Sequence, residues 1–256
     1  MHPEVQILLV FLVIGFCGGS AGLFWAVRCL FLHRRAGGRI SIFIISLLLS
    51  DVFELVLIPF ALAVILEYEH FGNEHFDGES ILCAFIGAGL CGICFHQLVA
   101  LEGILALTAH HWLSRLSTRL CSIISFFLWV GILVVSFLPE IGWVIGLILY
   151  VLTGVVAVIS CVIVCKTTNS SEPLSLTERF KKPTVKVLAV ALTTLLILYG
   201  PVSLFTGSML IRRFLDFALW PFSIVRLRLI ADPLLCVLVY KGVPPTQPNF
   251  SDQSSG

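Results

Sequence analysis

The chain has 256 residues, 58% of them hydrophobic and 12% charged, with a formal net charge of +1. So little polar surface cannot wrap a water-soluble core of this size, which excludes an ordinary soluble domain and points to a membrane protein. The near-neutral balance carries no nucleic-acid signal, and the absence of a nucleophile-base set or phosphate loop gives no reason to expect an enzyme or a cofactor.

About 20 consecutive apolar residues cross the hydrocarbon of a bilayer as a helix. Seven such segments follow one another: Val5–Leu32, Ile40–Leu66, Leu82–Trp112, Leu120–Leu138, Ile141–Cys165, Val185–Ile211 and Phe214–Tyr240. They are long apolar runs without the alternation of a barrel strand, so the pattern predicts an all-α, integral membrane bundle of seven transmembrane helices. The first run lacks a basic n-region and is long enough to span, unlike a cleaved leader. Basic short loops stay cytoplasmic. Arg34, Arg35 and Arg39, then Arg115 and Arg119, then Lys166, Arg179, Lys181, Lys182 and Lys186 mark the inside. The loop EYEHFGNEHFDGES, with Glu67, Glu69, Glu74, Asp77 and Glu79 and no Lys or Arg, suits the outside, and Arg212 and Arg213 are the one dissent. The N-terminus is therefore expected outside. Residues 1–241 read as one membrane domain, and residues 242–256 as a short cytoplasmic tail whose Pro and Ser content predicts disorder.

Charge inside the spans carries the chemistry. An ionised carboxylate in lipid costs about 2.5 kcal/mol or more, so Asp51 and Glu54 in LLLSDVFELVLIPF should face the bundle interior or a watery cavity. At i and i+3 they share one helix face. In SIVRLRLIADPLL, Arg228 precedes Asp232 by four residues, with Arg226 half a turn earlier, and the third span adds His96, Gln97 and Glu102. These groups predict an internal polar network that either fixes helix packing or marks a ligand or ion site. Arg226, outward of Asp232, suits a small anionic ligand, or else it pairs with Glu54 or Glu102 and meets none. His70 and His75, among acidic loop residues, either sense protons or are simply solvated. Cys91 and Cys94 have a C-x-x-C spacing without a second pair, too little for a metal site; Cys17, Cys29, Cys121, Cys161, Cys165 and Cys236 read as small packing residues.

Several of these fragments resemble the rhodopsin-like (class A) G protein-coupled receptors. LLLSDVFELVLIPF looks like their second helix, with Asp51 followed eight residues later by Pro59. FLWVGILVVSFLP matches the fourth-helix pattern through Trp129 and Pro139. KKPTVKVLAVALTTLLILYGP resembles the sixth helix, with Tyr199 two residues before Pro201, and ADPLLCVLVY resembles the N/D-P-x-x-Y motif of the seventh through Asp232 and Pro233. The order and spacing of the fragments cover nearly the whole chain. The departures are equally definite. The acidic-Arg-aromatic triplet ending the third helix is matched by His110-His111-Trp112, so its Arg is absent. Cys83 stands where the family places the third-helix cysteine of a disulfide, but the short second outer loop offers no partner. Cys236 replaces the motif tyrosine, and Pro244 and Pro245 oppose an eighth helix.

The resemblance implies a multi-pass plasma-membrane receptor. An unknown small extracellular ligand, anionic or a proton, would move the sixth helix outward, with Pro201 as hinge, and open a cleft for a heterotrimeric G protein. It also implies a sodium pocket at Asp51 and Asp232, where the guanidinium of Arg228 is a candidate substitute for the ion. Two other classes stay open: a non-signalling decoy or modulatory receptor subunit, and a small proton-linked transporter using the buried charges as a relay.

Overall fold

The computed structural model describes residues 3–38, 40–71, 79–108, 118–169, 182–199 and 225–242. Every regular element among them is helical. Seven α-helices are described: α1 Pro3–Arg35, α2 Ile42–Phe71, α3 Glu79–Thr108, α4 Thr118–Ser136, α5 Pro139–Asn169, α6 Pro183–Thr193 and α7 Arg228–Gly242. Stretches within α1 to α4 (Gln6–Arg35, Ile42–Val64, Cys83–Thr108 and Thr118–Ser136) are long and apolar enough to cross a membrane; α5 carries the shorter apolar stretch Tyr150–Lys166, and another, Pro183–Leu198, runs through α6 into the residues after it. Among the described residues the chain is an all-helical membrane protein, with four helices apolar enough to cross.

The helix ends follow from local chemistry. Gly37, at φ 82°, closes α1 in a left-handed conformation that a Cβ would resist, while the Gly37 amide bonds Arg34 O and the Gly38 amide bonds His33 O. Ser41 caps α2 by accepting the Phe43 N–H at 3.1 Å. Pro139, placed from sequence between the fourth and fifth spans and matched to the fourth-helix pattern, opens α5. Its missing N–H is no loss in a first turn, where amides have no helical partner. Pro183 opens α6 in the same way behind an extended Lys182. At Thr194 the α6 ladder widens into a π-helix, Thr194–Tyr199, where the Thr194 hydroxyl bonds Val190 O at 2.8 Å. The seventh expected span began at Phe214. The described helix begins at Arg228, and residues 201–224 lie outside the described residues.

Helix α3 is central. It packs against α2, α4, α5, α6 and α7, while the other six close a ring: α1 on α2, α2 on α4, α4 on α5, α5 on α6, α6 on α7 and α7 on α1. The outward side chains are large and apolar, among them Phe24, Phe53, Val56, Phe126, Phe127 and Val158. Where acyl chains are the solvent, burying a leucine gains little, so close packing and polar contacts must hold helices together. Helix α1 shows how. Gly15, Gly18, Gly19 and Gly22 face α7, and a Cβ added at Gly19 would lie 2.8 Å from the Leu229 Cβ. Gly19→Leu should therefore separate α1 from α7 and lower stability by about 1–3 kcal/mol. Thermal unfolding in detergent checks this against Gly131→Leu, a position with nothing within 4 Å.

Candidate functional site

The site is a buried ionic cluster joining α2, α3 and α7. On α2 the usual pattern is inverted: Asp51 and Glu54 point into the bundle, while Val52, Phe53 and Val56 point out. An apolar exterior leaves the interior as the only place where these carboxylates find donors. Arg228 and Asp232 lie one turn apart on the inner face of α7, and Arg226 enters from the turn ahead of that helix.

The Arg228 guanidinium is the hub. Its Nη1 donates to Asp51 Oδ1 at 3.0 Å and to Asp232 Oδ2 at 2.6 Å. Its Nη2 donates to Glu54 Oε2 and, at 3.5 Å, to Ala88 O. Glu54 Oε1 accepts from Arg226 Nη1, so one carboxylate bridges two guanidiniums. The Arg226 Cζ stands 3.7 Å from the Phe85 ring centroid, a cation–π contact that completes its apolar wall. From α3, His96 Nδ1 meets Asp232 Oδ1 at 2.5 Å. Arg228, Glu54, Asp232 and His96 are all 0% exposed, and Arg226 only 5%. Asp51 Oδ2 and His96 Nε2 are among the buried polar atoms with no hydrogen-bond partner among the described residues.

Of the residues proposed from sequence, Asp51, Glu54, His96, Arg226, Arg228 and Asp232 come together. Arg226 is engaged by Glu54, one of the pairings that the sequence left open. Gln97 and Glu102 do not join. Gln97 Nε2 donates to Ala191 O of α6 at 3.3 Å, and Glu102 accepts from the Ser41 hydroxyl at the start of α2. Pro233 is buried in α7 against Gly22 of α1. Tyr199 ends the π-helix, while His110, His111, Trp112, Pro201, His70 and His75 lie outside the described residues. No group of three or more His, Cys, Asp or Glu side chains among the described residues is arranged for a metal ion. Between Asp51 and Asp232, the pair read as a sodium site, lies the Nη1 of Arg228.

Sequence reasoning missed what makes room for the hub. A Cβ at Gly92 would collide with the Arg228 guanidinium, and one at Gly89 would come within 3.6 Å of Arg226 Nη1. The signal was present in GAGLCGIC, which gathers three glycines on α3: Gly89 and Gly92 beside the two arginines, and Gly87 against Ser136 of α4. No family model matches the chain, and no curated protein matches it.

Two outcomes are expected. Gly92→Ala should displace the guanidinium and lower the unfolding temperature in detergent, whereas Gly154→Ala, with nothing within 4 Å, should not. Equal stability of the two would mean that Arg228 does not rest on α3. Arg228→Gln leaves three carboxylates facing each other and should cost about 3–5 kcal/mol. Adding Asp232→Asn should recover part of that loss, and strict additivity in the double-variant cycle would show that the two are not coupled.

Proposed function

We propose that this protein is a divergent receptor-like membrane protein of seven crossings, with its N-terminus outside, that passes an extracellular signal to a cytoplasmic partner. The observation that carries this reading is the bridge Asp51–Arg228–Asp232, which ties the second helix to the seventh beside a central third. The two carboxylates are the residues that the receptor resemblance singled out in helices far apart in sequence. The ring of six helices around α3 supports the same reading. So does the π-helical segment of α6, which ends two residues before Pro201: it loosens the backbone ladder where an outward-moving sixth helix would bend.

In this reading an extracellular ligand shifts the bundle between two packings, and the ionic cluster holds the resting one. A bound ligand acts only by the difference of its affinity for the two states. The partner is a heterotrimeric G protein at the plasma membrane. His110-His111-Trp112, in place of the family's coupling triplet, favours a weakly coupled receptor and gives a second reading, a non-signalling decoy or modulatory subunit, a specific footing.

G protein activation in cells carrying the full chain separates the two. For a weakly coupled receptor, basal activation of at least one G protein class should exceed that of mock cells and rise several-fold with His111→Arg. Activation that appears only in His111→Arg would establish the decoy. Silence of both proteins, with surface expression confirmed, would overturn the receptor reading.

A further inference from the structure

Away from the ionic cluster, the carboxy-terminal ends of α1 and α7 present a second concentration of charge, on the outer surface of the bundle. Arg28 and Arg35 stand seven residues apart on α1 and so share a stripe two turns long. Trp25 and Leu32 flank that stripe on the side nearer α7, and Phe24 and Phe31 flank it on the other. All six are exposed. Lys241, exposed in the last turn of α7, holds its ammonium 6.0 Å from the centroid of the Trp25 ring, and the Arg35 guanidinium stands 4.7 Å from that of Phe31. No carboxylate among the described residues pairs with Arg28, Arg35 or Lys241.

Helix length fixes the depth of this patch. The 33 residues of α1 extend about 50 Å, against roughly 30 Å of hydrocarbon, so several turns lie beyond it. Arg28, about 10 Å before Arg35, then falls near the boundary, where Trp rings settle and long cationic side chains reach the headgroups. Three cations on two adjacent helices, over an apolar and aromatic floor and without a paired carboxylate among the described residues, match a ligand with an anionic head and acyl chains.

We propose that this α1–α7 face binds the headgroup of an anionic phospholipid, with Arg28, Arg35 and Lys241 on its phosphate and carboxylate oxygens and Trp25 against its glycerol and upper chains. The assignment does not depend on the receptor reading, since it concerns the bilayer around the protein and not the signal through it.

The full chain, reconstituted in vesicles of equal parts phosphatidylcholine and phosphatidylserine and released into native mass spectrometry, provides the test. Wild type should retain phosphatidylserine in preference to phosphatidylcholine. The double variant R28Q/K241Q should retain at least fivefold less phosphatidylserine with phosphatidylcholine unchanged, and R28Q and K241Q alone should fall between. R119Q removes an exposed charge from α4 and should behave as wild type. Undiminished phosphatidylserine in R28Q/K241Q overturns the proposal. So does an equal loss in R119Q, which would make the effect one of overall charge. Because both positions lie on the surface, an unchanged unfolding temperature in phosphatidylcholine alone confirms that the variants fold.

Discussion

A guanidinium at the centre of a bundle with an apolar exterior persists only if carboxylates surround it, and Arg228 meets that condition with three. No part of this arrangement works alone. Asp51 and Glu54 would be costly inside α2 without a cation, and Arg228 would be costly in the interior of α7 without them. Each half is costly and the whole is compensated. The relative height and rotation of α2, α3 and α7 are thereby fixed to within a hydrogen-bond length, more narrowly than apolar packing in lipid would fix them. The outward faces of the same helices carry large apolar side chains, so the polarity that a soluble protein turns to water is turned inward.

Around this centre, small residues set the spacing. Gly92 and Gly89 let α3 approach the two arginines, and the α1 glycines let that helix lie along α7. The two effects are linked, because α7 carries the arginine hub on one side and receives α1 on the other. Glu102 and Ser41 form a separate tie at the N-terminal end of α2, so that helix is held at two heights along its length.

What the sequence made legible follows from cost. A charge in an apolar run has no cheap explanation, so Asp51, Glu54, Arg228 and Asp232 could be singled out before any geometry was known. Neighbours on one helix were harder to sort. Glu102 lies six residues after His96, which turns it about 240° around the helix and moves it about 9 Å along it, and Gln97 is turned about 100°. That rotation is why one reaches Ser41, the other reaches Ala191 and neither reaches the cluster. The choice of Glu54 as the partner of Arg226 was among the alternatives, but pairing depends on helix rotation, which a single sequence leaves open. Pro139 fell between two expected spans because a proline can close one element or open the next, and only the backbone distinguishes them. Gly92 escaped notice because an absent side chain carries no chemistry until its neighbour is known.

The π-helical stretch at Thr194–Tyr199 gives α6 a degree of freedom that a regular helix lacks. A π turn stores one residue more than an α turn, and tightening it would advance everything beyond it by about 100° around the axis. At present Leu195 and Leu198 face the interior and Leu196 and Ile197 the exterior. Both faces of the stretch are thus lined by aliphatic side chains of nearly equal volume, so the helix could turn about its own axis without emptying the space it fills.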